Sequence, residues 1–181
     1  MNKTQQYDIV YIGGIIMNIK PEQLNENIFK LIGEDWMLIT AGTKENCNTM
    51  TASYGGFGIL FSKQVAHIYV RPQRHTYSFI ENATGFTLSF FNDEKYRKEL
   101  QYCGRTSGKD ENKFTHCGFT VTDIDGFPCI EQADITVLCK KIYATDIDSG
   151  TFYDQSIIEK CYPEGDTHRM YVGEILKIIT K

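Results

Sequence analysis

Three short segments gather residue types that can hold an anion or a polar ring. Residues 48–58 read NTMTASYGGFG, in which Asn48, Thr49, Thr51 and Ser53 supply amide and hydroxyl groups around Met50 and Ala52. Gly55, Gly56 and Gly58 follow at once and permit backbone approaches that a Cβ would block. The mixture suits a loop pressed against a polar ligand, although glycine and threonine also build ordinary turns. Residues 70–79, VRPQRHTYSF, end an apolar run at Arg71, turn at Pro72 and open a helix at Thr76 and Tyr77. A guanidinium beside the free N–H groups of a helix start forms an anion cup. The other reading is a solvent-facing arginine with Thr76 as helix cap. Residues 102–114, YCGRTSGKDENKF, set Arg105, Lys109 and Lys113 around Ser107 and Gly108. This is a second cationic turn, whose plainer reading is a solvated loop with Asp110 capping a short helix.

Metal and thiol chemistry find less support. Cys47, Cys103, Cys117, Cys129, Cys139 and Cys161 include no CxxC and no short Cys/His spacing, so neither a zinc site nor a thioredoxin-type motif is indicated. Cys103 has no partner at motif spacing and reads as a small packed residue. His168, in GDTHRMYVGEI, stands where a strand begins. Such a histidine is usually structural, as Trp36 at the head of another strand is usually a packing residue.

The elements that must position these residues are mostly strands. WMLITA (36–41), VAHIYV (65–70) and FTLSFF (86–91) are short β-branched and aromatic runs bounded by turn formers. ADITVLCKKIYATDI (133–147) and HRMYVGEILKIIT (168–180) carry the alternation of long strands exposed on one face. Helices are expected over 21–33, 76–85, 93–104 and, briefly, 110–118. The pattern is a mainly antiparallel barrel with short helices over its ends, and the absence of GxGxxG and of regular alternation excludes a doubly wound sheet.

The chain has 181 residues, 41% of them apolar, and a formal charge of −4, as expected of one domain spanning 1–181. That charge leaves no broad positive field for nucleic acid. No apolar run approaches membrane-spanning length, and residues 1–14, MNKTQQYDIVYIGG, lack the features of a secretory signal, so the cytoplasm is the expected address.

Taken together, WMLITAG, NTMTASYGGFG, VRPQRHTYSFI, FTLSFF, YCGRTSGKDENKF and YPEGDTHRMYVGEI occur in the order found in flavin reductase-like, flavoredoxin-type FMN-binding proteins. The resemblance covers residues 35 to 180. It implies an FMN-binding split β-barrel that works as a homodimer with the flavin near the subunit interface. It also implies an oxidoreductase that takes hydride from NADH or NADPH and passes electrons to free flavin or a redox partner. The alternative within the family is a flavoredoxin-type carrier with bound FMN and little nicotinamide turnover. Residue by residue, the resemblance puts 48–53 along the isoalloxazine edge and ribityl chain, and Arg71 and Thr76 on the phosphate. Ser107, Lys109 and Lys113 fall in a second flavin-contacting stretch, where SGKD replaces the commoner SGRD and so loses the bidentate fork. Trp36 matches a position near the cofactor cavity, and His168 one on the nicotinamide side.

Overall fold

The computed structural model describes residues 17–181, so the opening segment read for targeting signals lies outside it. In chain order the elements are β1 (Met17–Ile19), a 3₁₀ turn at Pro21–Gln23, α1 (Ile28–Gly33), β2 (Met37–Gly42), β3 (Cys47–Ala52), β4 (Gly55–Leu60) and β5 (Lys63–Val70). There follow α2 (His75–Asn82), β6 (Gly85–Phe90), a 3₁₀ turn at Glu94–Tyr96, α3 (Arg97–Arg105), α4 (Lys113–Cys117), β7 (Val121–Ile124) and β8 (Phe127–Ile130). The chain closes with β9 (Ile135–Asp146), a 3₁₀ turn at Ser149–Thr151, α5 (Gln155–Cys161) and β10 (Arg169–Thr180).

The main sheet runs β3-β2-β6-β9-β10-β5-β4, every neighbouring pair antiparallel, with β1 added along the far end of β10. Its two edge strands, β3 and β4, are joined by only Ser53 and Tyr54. That connection spans roughly 11 Å at most. The sheet must therefore curl until its edges nearly meet, and no ladder joins them, which leaves a barrel split along one seam. The pairing of the long strands β9 and β10 slips at Val172/Gly173 and again at Ile175/Lys177, irregularities of the kind that bend a sheet. At that bend a Cβ on Gly173 would lie 2.7 Å from both the Cys139 Cβ and the Phe86 ring, so only glycine fits.

Met37, Ile39, Phe86, Leu88, Phe90, Val137, Tyr171 and Ile178 fill the barrel interior. Leu38, on the opposite face of β2, packs outside the barrel with Leu100, Cys103, Phe119 and Ile130. Both faces of β2 are thus buried, which is why its sequence is an unbroken apolar run rather than an alternation.

The fold class and the five strand readings agree with the structure to within a few residues. The helical readings need more correction. Residues 21–33 are not one helix: Asn27 accepts from the N–H groups of Phe29 and Lys30 and starts α1 late. Asn112, not Asp110, caps α4. Thr76 lies inside α2, whose cap position is Arg74. The hairpin β7–β8 and helix α5 had no expectation attached to them. The largest correction concerns residues 48–58: they are two strands joined by a two-residue turn rather than a loop.

Candidate functional site

The seam between β3 and β4 opens into a cavity of about 210 Å³ lined by residues 50–54, Tyr69, Arg71, Arg74 and His168. The end of β3, the end of β5 and the start of β10 converge there, since Arg169 pairs with Val70. Arg71 is fastened on one side of it: the guanidinium donates to the Asp166 carboxylate and, at 2.7 Å, to the Cys161 carbonyl, and it lies 5.4 Å over the Tyr162 ring. The Arg71 hydrogen bond holds the Asp166 carboxyl below its ordinary range. His168 is buried beside this clamp, with Nδ1 2.9 Å from the Tyr162 hydroxyl and its ring 5.6 Å from that of Tyr54. Burial, seconded by the Arg71 charge and opposed by Asp166, lowers the His168 pKa and favours the neutral imidazole. Burial also raises the Tyr162 pKa, so the phenol keeps its proton.

A second cavity, also about 210 Å³, lies at the other end of β3 between Cys47, Asn48 and residues 108–114. Here all three chemistry-bearing segments meet. Asn48 donates its amide to the Thr76 hydroxyl at 2.8 Å, and a Cβ on Gly108 would fall 2.1 Å from the Asn48 Oδ1. The Ser107–Lys109 turn is thus folded directly onto Asn48, and the Lys109 N–H donates to the Ser107 hydroxyl at 3.2 Å. The larger cavity, about 460 Å³ around Gly42, Asn46, Phe79 and Asn82, has no charged side chain in its wall and offers nothing to neutralise an anion.

Basic side chains border both cavities, paired with Asp166 at the first and beside Asp110 and Glu111 at the second. Lys113 is only 3% exposed and points inward, donating to the Thr49 carbonyl at 2.8 Å and the Cys103 carbonyl at 3.0 Å. Arg74 donates to the Gly104 carbonyl at 2.7 Å and the Cys103 carbonyl at 3.4 Å. The carbonyls in the last turn of α3, which the helix cannot satisfy itself, are therefore capped by two cations at its negative end. Burial brings the Lys113 pKa down to about 8, with Arg74 pushing the same way and the Cys103 thiol opposing. His75, at the start of α2, is also held below its ordinary pKa, first by burial and then by the Lys109 and Lys113 charges.

Because residues 47–52 form a strand, their side chains alternate and do not share one ligand face. Asn48, Met50 and Ala52 face the side of β2 that carries Ala41, Ile39 and Met37. Thr49 and Thr51 face the other way: Thr49 exchanges contacts with the Thr40 hydroxyl and the Ile39 carbonyl, and Thr51 donates to the Leu100 carbonyl of α3. Ser53 is exposed at the seam. Arg71 lies at the first cavity, whereas the hydroxyl of buried Thr76 accepts from the Asn48 amide at the second, so the two border different cavities. Trp36 packs with the cluster outside the barrel, under the Arg97 guanidinium at 3.5 Å from its ring. Arg74, Tyr54, Tyr69, Tyr162 and Asp166 were not anticipated. Arg74, one turn after Arg71 in the same segment, could have been flagged from spacing; the tyrosines and Asp166 carry no such signal.

The arrangement belongs to a known class: the model of the flavin reductase like domain matches residues 30–181, and the chain is a member of the flavin reductase-like family. No curated protein sequence matches it. Among solved structures it is similar to the flavoredoxin of Methanosarcina acetivorans, at 18% identity and a TM-score of 0.65 over 90% of this chain and 76% of that one. An FMN-binding domain of a flavin reductases-like enzyme from Shewanella baltica OS155 aligns at 15% identity and a TM-score of 0.66, covering 94% and 79%. The NADH:FAD oxidoreductase of Streptomyces globisporus C-1027 aligns at 15% identity and 0.61, covering 81% and 75%. These likenesses establish the shared fold. Among the described residues, no helix is long and apolar enough to cross a membrane, and no cluster of potential metal ligands occurs.

Proposed function

We propose that this protein binds FMN and acts as an oxidoreductase, accepting hydride from NADH or NADPH and passing electrons to free flavin or to a redox partner protein. The observation that carries the reading is the seam of the barrel. Its backbone and hydroxyl groups at 50–54, a cationic wall of Arg71 and Arg74, and a neutral buried His168 lie together in one cavity.

The residues present fit that cofactor's chemistry. An FMN phosphate is a dianion, and Arg71 and Arg74 at the first cavity and Lys109 and Lys113 at the second supply cations beside the carboxylates of Asp166, Asp110 and Glu111. Ser53 and the exposed backbone of the seam are available to a polar ring edge, Arg71 and Arg74 to the phosphate at the first cavity, and Lys109 and the first turn of α2 to a polar or anionic group at the second. Lys113 contributes charge from behind β3 and holds that strand to α3. When bound, FMN supplies the two-electron redox chemistry. The protein then has to orient a nicotinamide against it. His168 suits this, because its hydrogen bond to the Tyr162 hydroxyl fixes the orientation of a neutral imidazole at the cavity wall. Hydride transfer needs stacked geometry more than an acid, so His168 is read as an orienting group.

The same reading takes a homodimer as the working unit. β4 is an edge strand exposing Ile59, with Phe61 just beyond it edge-on to Tyr143 at 6.2 Å, and these apolar groups suit a subunit interface. All six cysteines are free, as fits a reducing compartment such as the cytoplasm.

The test is anaerobic stopped-flow absorbance of the FMN-loaded protein mixed separately with NADH and NADPH. Rapid bleaching of the oxidised flavin band by either supports the reductase and identifies the donor. Bound flavin that neither donor bleaches assigns the protein to the electron-carrier side of the family instead.

A further inference from the structure

Cys103 and Cys117 are 14 positions apart in the sequence, and the structure sets their Sγ atoms 3.7 Å apart. It is the one Sγ···Sγ contact among the described residues. Cys103 is fully buried in α3, wedged with Leu38, Leu100 and Phe119. Cys117 ends α4 and is partly exposed. We propose that this pair is a dithiol that closes reversibly to a disulfide, and that its oxidation weakens flavin binding by shifting α4 and disturbing the Lys113 contacts that join β3 to α3.

Closing the bond brings the sulfurs from 3.7 Å to about 2.05 Å. Rotation about the two Cα–Cβ bonds takes up part of the difference, and the remainder falls on whichever helix yields more easily. Cys103 is locked in a packed cluster, whereas α4 is a five-residue helix that borders that cluster through Phe114 and Cys117 and is anchored by its Asn112 cap and by Lys113. Any backbone shift falls on the shorter α4, and its first residue is Lys113, whose ammonium joins the Thr49 carbonyl of β3 to the Cys103 carbonyl. Gly108 and Asn48 meet only a few residues upstream on the same segment. A shift of α4 is thus felt at both the strand and the turn that border the second cavity.

The chemistry balances with a low-molecular-weight disulfide as oxidant. The accessible Cys117 thiolate attacks it, a mixed disulfide forms and one thiol leaves. The Cys103 thiolate then attacks the Cys117 sulfur, forming the Cys103–Cys117 bond and releasing a second thiol. Two electrons pass from the dithiol to the oxidant, and the two thiol protons end on the released thiols. Burial raises both thiol pKa values, that of Cys103 to about 12. Exchange is therefore slow at neutral pH and quickens as pH rises. Once closed, the bond has poor leaving groups and persists until a dithiol reductant opens it.

The flavin half of this proposal rests on the FMN reading above; the disulfide half does not. The full chain, reduced and then equilibrated with oxidised glutathione, is alkylated in denaturant and mapped by mass spectrometry. In parallel, FMN is titrated by fluorescence. A linked Cys103–Cys117 peptide with the other four cysteines alkylated is expected, together with FMN affinity at least fivefold weaker than in the reduced protein and restored by dithiothreitol. Cys117→Ser should keep the reduced-state affinity under both conditions. Absence of the linked peptide overturns the proposal, as does a linked protein of unchanged affinity. If the reduced protein binds no FMN, the cofactor reading itself has failed, and the peptide map still decides whether the disulfide forms.

Discussion

At the scale of single residues, the site is governed by what each polar group must satisfy before it can serve a ligand. Arg71 is held by Asp166 and the Cys161 carbonyl, and so it shapes the cavity wall as well as supplying charge. Arg71→Ala is expected to weaken FMN binding at least tenfold and to loosen residues 161–168. Isothermal titration and hydrogen exchange separate the two effects, and an unchanged dissociation constant would remove Arg71 from the flavin site. His168→Ala should raise the KM for NAD(P)H several-fold while flavin stays bound. Tyr162→Phe should raise it less, because the ring keeps its place but loses its orienting hydrogen bond.

Lys113 gives a pH signature whose sign follows from its pKa. Its folded value, about 8, lies below that of a free lysine. Between the two the unfolded chain binds more protons, so this group's contribution to stability rises with pH through that window. Chemical denaturation at pH 7.5 and 9.5 should show the wild type gaining on Lys113→Met over that interval. At the lower pH the variant balances the loss of two buried carbonyl partners, roughly 1–3 kcal/mol, against relief from burying a charge. Parallel pH dependences of the two proteins would show that Lys113 does not titrate there.

At the scale of elements, the site depends on how tightly one segment seats on another. The Ser107–Lys109 turn lies against Asn48, which Thr76 holds in place. A Cβ at Gly108 would meet the Asn48 amide, and turning that amide aside would break its hydrogen bond to Thr76. Gly108→Ala is therefore expected to push the turn off β3 and weaken FMN binding by about tenfold or more with only a modest loss in Tm; retention of wild-type affinity would show that this turn is not part of the flavin site. α3 plays a quieter part: its last carbonyls hold Arg74 and Lys113, so the helix end fixes the cations that border both cavities.

At the scale of the whole molecule, the seam that opens the barrel is also its exposed edge. Ile59 is 73% and Phe61 62% exposed near the free edge of β4, a liability unless another surface covers them. Sedimentation equilibrium should give twice the 20.8 kDa chain mass, and Ile59→Lys with Phe61→Glu should shift the population to monomer and cost flavin occupancy. A wild-type monomer fully loaded with flavin would contradict the dimeric site.

The strands, the barrel class and the identity of the three polar segments were legible in the sequence, because alternation, turn formers and local charge are properties of neighbours along the chain. The sequence alone also brought Asn48, Thr76 and the Gly108 turn under suspicion together. It could not show that residues 48–52 are a strand, whose alternation turns Thr49 and Thr51 toward α3 and away from Asn48. Nor could it show that Lys113 points inward or that Arg71 engages Asp166, 95 positions away. Cys103 read as a lone packed thiol for the same reason. Its neighbour Cys117 comes into reach only when α3 and α4 pack together, and contacts of that kind are set by the closing of the barrel rather than by spacing along the chain.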